Sequence, residues 1–285
     1  LAAYAPASPH LTASYEGALI YWLYILLSSV GGLLVGVVGT GSSLIILPSL
    51  ALIFSTATVG GASLRLAAGT TMATVAVGAI AGAIAQHRAR QVDLRLFRLT
   101  ILPYALGSLA GPWFSRALPA GILTAYVSGV IGVLGLRMLF SHSPAVAQGR
   151  NYRAHRWQIS VVLTIISIGC SIAGISSGIF AIPYLSRYTA ALRTAIGTST
   201  ASAAIYSVFA TIGYVTAGWS ADELPGGSVG FVFFPAFAVM ATTALIVTPI
   251  GVRLASRFNE QILRSLFAVF LLAAAATVAI ANRAP

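Results

Sequence analysis

Apolar positions along this chain fall into long, nearly uninterrupted runs. Stretches 18–38, 66–85, 99–114, 121–136, 159–173, 195–217, 229–252 and 266–281 carry few or no charges. Runs approaching ~20 apolar residues suit helices that cross a bilayer, whereas a membrane barrel reads as segments of about 10 alternating residues. The pattern therefore predicts an all-α polytopic membrane protein with eight full spans. Two further apolar segments are too short. Segment 42–54 is about 20 Å long as a helix, segment 177–187 is shorter still, and the hydrocarbon layer is ~30 Å thick. Each follows a cluster of small and hydroxyl residues: Gly39, Thr40, Gly41, Ser42 and Ser43 in the first case, and Gly174, Ser176, Ser177 and Gly178 in the second. Lipid does not tolerate irregular backbone, so each cluster must lie against protein or a water-filled cavity. Glycine supplies the unusual dihedrals, and serine is a helix N-cap type. Each segment is expected to be a short helix that starts after a break in a longer one.

The two clusters belong to a repeat. VGTGSSLIILPSL (38–50) matches AGISSGIFAIPYL (173–185), with Pro48 opposite Pro183, and SLRLAAGTT (63–71) matches ALRTAIGTS (191–199). The chain thus reads as two halves, 15–140 and 157–282, joined by a basic linker, 141–156. Charge then assigns sides. All sixteen basic residues are arginine. Thirteen fall in four regions: Arg88, Arg90, Arg95 and Arg98; Arg137, Arg150, Arg153 and Arg156; Arg187 and Arg193; and Arg253, Arg257 and Arg264. Arginine-rich loops face the cytoplasm. That places the linker inside and both termini outside, together with the acidic loop containing Asp222 and Glu223. Equivalent loops of the two halves have opposite charge bias, so the halves are expected to be inverted in the membrane. Secondary transporters commonly bind substrate midway between such repeats.

Two short helices entering from opposite sides would aim their N-termini at one another. A helix N-terminus carries unpaired N–H groups and positive partial charge, and favours a small oxyanion without a fixed counter-charge. Hydroxyls of Ser42, Ser43, Ser176, Ser177, Thr70, Thr71, Thr198 and Ser199 would add donors. The alternative is that these small residues serve close helix packing. Arg65 and Arg193 each precede the GT[ST] pattern by four residues; they either recruit an anion at each mouth or snorkel to lipid headgroups. Gln86, His87 and Arg88 close one apolar run, where His87 reads either as a proton carrier or, more simply, as a loop histidine with no other role.

The remaining chemistry is mostly excluded. The net charge of +11 would suggest nucleic acid in a soluble protein, but here the arginines sit between apolar runs as topology determinants, so no nucleic-acid partner is expected. One cysteine, Cys170, permits no internal disulfide and no CxxC metal site. Gly174–Gly178 reads G-x-S-x-G, but the serine-hydrolase elbow needs a strand–turn–helix setting and a histidine partner. No strand is expected here, and His10, His87, His142 and His155 lie outside or at the ends of apolar runs. No P-loop, zinc-protease or dinucleotide pattern is present. The expectation is a non-enzyme without metal or cofactor. Residues 1–17 carry no positive charge, unlike the start of a secretory leader.

In these motifs the sequence resembles the sulfite exporter TauE/SafE family of membrane permeases. The resemblance rests on the doubled Gly-rich stretch ending in proline, the LRxAxGT[ST] repeats and the loop HRARQVDLRLFR (87–98), and it covers nearly the whole chain. Serines stand here where the family stretch is richer in glycine, and extra hydroxyls alter the contacts offered to an anion. The resemblance implies export of sulfite, sulfonates or related sulfur anions from the bacterial cytoplasm across the inner membrane. It also implies an ion gradient as energy source, with protons as the candidate coupling ion. An anion channel on the same scaffold is the alternative. Membrane proteins of this size are often homodimers, though no motif here specifies one.

Overall fold

The computed structural model describes residues 9–38, 41–57, 62–140, 154–221 and 224–254. Among them are nine helices: α1 (Pro9–Val38), α2 (Ser42–Ala57), α3 (Ala62–Arg88), α4 (Leu94–Ala117), α5 (Ala120–Phe140), α6 (Arg156–Ala173), α7 (Gly178–Leu185), α8 (Leu192–Gly218) and α9 (Phe234–Leu254). The expected span 266–281, most of the linker, and Gly39, Thr40, Asp222 and Glu223 lie outside the described residues. Five described helices are long and apolar enough to cross a membrane: α1 (over Leu19–Gly36), α3, α6, α8 and α9. The expected number of eight is therefore not reached among the described residues. In α4, Pro103, Tyr104, Ser108 and Pro112 dilute the apolar run.

One expectation is corrected. Run 229–252 does not begin as helix. Ser228–Val229 and Val232–Phe233 form a two-stranded antiparallel ribbon, β1 and β2, pairing Ser228 with Phe233 and Val229 with Val232. Gly227 and Gly230, at φ 87° and 54°, make the turns that permit it, a conformation that residues with side chains rarely adopt. An apolar run alone does not tell strand from helix over so few residues.

α3 and α8 form the centre, with 78% and 67% of their apolar windows buried, against about a third for α6 and α9. They run antiparallel: Gly69, near the start of α3, lies beside Tyr214, near the end of α8, while Gly82 lies beside Thr200. α4 runs parallel to α8, from the Thr100–Ser202 hydroxyl pair at 2.6 Å to Gly213 against Pro112. α9 runs parallel to α3, with Phe231 at Gly69 and Ala244 and Thr248 at Gly78. α1 lies along α9 and α6 along α4, so closely that glycines are required at the crossings: a methyl on Gly36 would collide with the backbone of Gly251, and one on Gly111 with Ser171. Small residues allow such approach in membranes, where burial of apolar surface gives helices no mutual preference over lipid. Exchanging α1 with α6, α2 with α7, α3 with α8 and α4 with α9 converts each of these packing pairs into another of them.

The exterior is apolar. Trp22, Leu102, Trp113, Ile165 and Ile246 are at least half exposed, a surface suited to acyl chains.

Candidate functional site

The two breaks meet at the centre. α1 gives way to α2 at Gly41, whose φ of 117° suits glycine, and Gly41 O accepts from Leu44 N–H at 3.1 Å. α6 closes at Gly174 in the left-handed conformation, φ 69°, with its N–H donating to Ser171 O and the Ile175 N–H to Cys170 O. This is the familiar glycine stop of a helix. A methyl at Gly174 would also collide with Ala68 of α3. Across the breaks, Ser176 N–H donates to Ser43 Oγ at 2.8 Å. Ser43 thus satisfies the opposite segment rather than capping its own helix, and Ser177, at the N-cap of α7, makes no side-chain cap bond either. The N-cap role read from residue type is replaced by a bond between the halves.

The candidate hydroxyls divide into two sets. Thr70 Oγ1 accepts from Phe233 N–H at 2.9 Å and donates to Leu66 O at 2.7 Å. Thr198 Oγ1 accepts from Asp93 N–H, also at 2.9 Å. The preceding residue is glycine in both cases because the same loop presses on it: methyls at Gly69 and Gly197 would collide with the carbonyl oxygens of Phe231 and Gln91. Each Gly-Thr pair therefore grips the loop that leads into a helix of the other half, α9 or α4. Asp93 is itself the N-cap of α4, accepting from Arg95 and Leu96 N–H.

The second set is Ser42, Thr71, Ser177 and Ser199. All four side-chain oxygens are buried without a hydrogen-bond partner, and no residue of the four is more than 3% exposed. They are matched two by two in the repeat, Ser42 with Ser177 and Thr71 with Ser199. A buried hydroxyl without a partner is unusual and calls for an explanation. Among the described residues the buried polar side chains are Ser, Thr and Gln, with buried Tyr hydroxyls beside them, and none carries a charge. Also among the described residues, no cluster of three metal-ligating side chains occurs. Ser176 lies between two helices rather than after a strand, which is not the setting of a hydrolase elbow.

The two arginines differ. Arg65 donates from Nε to Ser115 O at 3.1 Å and from Nη2 to Leu118 O at 2.6 Å, and so holds the C-terminal end of α4. A cation is favourable at that end of a helix dipole. Arg193 is exposed in the first turn of α8.

Three buried tyrosines, absent from the candidate set read from the motifs, surround the α6–α7 break. Tyr206 Oη donates to Ile175 O at 2.7 Å and Tyr214 Oη to Ser171 O at 2.8 Å. Tyr104 packs edge-on against Tyr206, with ring centroids 5.9 Å apart. Its hydroxyl faces that of Ser177 but is not in hydrogen-bond geometry with any group. A lone tyrosine inside the run LTILPYALG (99–107) was the available signal, since a buried phenol usually seeks a partner.

The family model described as sulfite exporter TauE/SafE matches residues 24–278. The chain is 23% identical over 254 residues to a protein of Haemophilus influenzae (strain ATCC 51907 / DSM 11121 / KW20 / Rd) named "Probable membrane transporter protein", covering 89% of this chain and 96% of that relative. No solved structure matches it significantly.

Proposed function

This chain belongs to the sulfite exporter TauE/SafE family of membrane transporters, and from that premise we propose that it is a secondary transporter moving a small sulfur oxyanion or organosulfonate out of the bacterial cytoplasm. The substrate would sit where the α1–α2 and α6–α7 breaks meet. The observation that carries this reading is the Ser43–Ser176 bond between the two breaks, with the buried, unpartnered hydroxyls of the adjoining residues Ser42 and Ser177. Polar donors left open in an apolar interior are suited to a charged solute that comes and goes. Neutral dipoles bind an anion without the strong hold of a fixed cation, so that release stays feasible.

The two-repeat architecture belongs to the same proposal: halves 15–140 and 157–282, inverted in the inner membrane, with linker 141–156 in the cytoplasm and both termini outside. Its support is the antiparallel course of α3 and α8 and the exchange of packing pairs between halves. In such an arrangement rocking of one half on the other opens a central site to either side alternately. Ser42, Ser43, Ser176 and Ser177 are all at most 3% exposed, which favours an occluding transporter over an open pore. The cytoplasmic excess of arginine would raise anion concentration at the inner mouth by long-range attraction.

Purified protein in liposomes, assayed with sulfite, sulfate, thiosulfate and small sulfonates, tests the reading. Concentrative flux of a sulfur anion under a proton gradient is expected. If none of these anions moves under any imposed gradient, the substrate assignment fails; if one moves only down its own gradient, the channel alternative replaces the transporter.

A further inference from the structure

The geometry points to Tyr104 as a direct hydrogen-bond donor to the transported oxyanion, acting beside Ser177 on the α7 side of the site. This inference rests on the transport reading above and adds a residue that neither the motif nor the repeat supplies.

Tyr104 is 1% exposed, yet its hydroxyl has no hydrogen-bond partner. The two neighbouring buried tyrosines show that the surroundings can satisfy a phenol, because Tyr206 and Tyr214 each bind a carbonyl of the α6–α7 break. Tyr206 is tied to Ile175 O, and its ring fixes Tyr104 edge-on at 5.9 Å and 80°. The Tyr104 hydroxyl is thereby held toward Ser177, the N-cap of α7, whose own hydroxyl is also buried and unpartnered. Two buried hydroxyls, close enough to interact with each other but in good hydrogen-bond geometry with no group, thus stand at a helix N-terminus, where the first amides also lack partners within the helix. Each could turn its hydrogen away from the other and toward a single oxygen-rich anion that lies against both.

The repeat makes the site one-sided. Asp93 and Phe233 fill the same place in the two Gly-Thr grips, and Gly111 and Gly251 the same place in the two close helix crossings. At that spacing the counterpart of Tyr104 is Ala244, which has no hydroxyl. The counterpart of Tyr206, by the matching of Thr70 with Thr198, is Gly78. The counterparts of Tyr104 and Tyr206 on the Ser42 side thus supply no phenol, and the α7 side offers the stronger donors. The ligand class is an anion with at least two acceptor oxygens, of which sulfite and methanesulfonate are usable probes.

Tyr104→Phe removes only the hydroxyl. Sulfite flux in proteoliposomes is expected to show KM raised about tenfold or more, as for loss of a hydrogen bond to a charged group, with a smaller change in maximal rate. Binding, read by thermal shift of the purified full chain with sulfite, sulfate, methanesulfonate and nitrate, should weaken in parallel, while the ligand-free melting temperature stays level or rises. Tyr206→Phe, which unties Ile175 O, should lower that temperature and serves as the structural contrast. KM and binding within twofold of the parent in Tyr104→Phe would overturn the inference while leaving the transport reading intact. Tyr104-dependent nitrate binding without any sulfur-anion flux would sustain the inference and sink the sulfur reading. If none of the four anions is bound, both fall.

Discussion

The Ser43 hydroxyl accepts the Ser176 amide proton at 2.8 Å, across 133 positions of sequence. One bond thereby joins the two interruptions that an apolar chain would otherwise have no reason to contain. Ser43→Ala would strand the buried Ser176 N–H, at a penalty of about 1–3 kcal/mol. A clearly lower thermal midpoint in detergent is the expected result, and an unchanged midpoint would mean that the bond contributes nothing.

Ser42 and Ser177 predict the opposite behaviour. Their hydroxyls have no partner in the protein, so the double variant Ser42→Ala with Ser177→Ala should keep or slightly raise the thermal midpoint. Anion flux should fall at the same time, chiefly through a higher KM. Loss of stability with flux retained would assign these serines to packing.

The two Gly-Thr grips give a pair of matched tests. Thr70→Val and Thr198→Val would each leave a loop amide unpaired, Phe233 N–H or Asp93 N–H, and destabilise by about 1–3 kcal/mol. The sites lie at opposite ends of the antiparallel α3–α8 pair, so the effects should add to within about 0.5 kcal/mol in the double variant. Gly69→Ala, which drives a methyl into Phe231 O, should be more damaging than either, to the point of losing folded protein on size-exclusion chromatography.

Arg65 and Arg193 look alike in sequence and should separate on substitution. Arg65→Gln releases the end of α4 and is expected to lower stability by about 1 kcal/mol, as the site is part-exposed. Arg193→Gln, at an exposed position, should stay within about 0.5 kcal/mol of the parent. If Arg193 draws anions to its mouth, its loss lowers flux at low ionic strength and the deficit disappears as salt is raised.

The helical, membrane-embedded class was legible because eight apolar runs and scarce charge leave few alternatives. The two breaks were legible because Gly39–Ser43 and Gly174–Gly178 recur at matched positions. Thr70 and Thr198 were visible as a pair, but their partners were not: the amides of Phe233 and Asp93 lie 163 and 105 positions away, and no local pattern encodes them. The same limit hid Tyr104 and Tyr206, whose single aromatic letters inside apolar runs carry no periodic signal.

Residue order by itself determined that the chain is helical and apolar enough for a membrane, where the Gly-Ser interruptions fall and that the motif occurs twice, since hydropathy and glycine conformation are local properties. Only the folded arrangement decided which hydroxyls are consumed by backbone amides and which stay open, because hydrogen-bond satisfaction in a buried interior depends on groups that the chain brings together from its two distant halves.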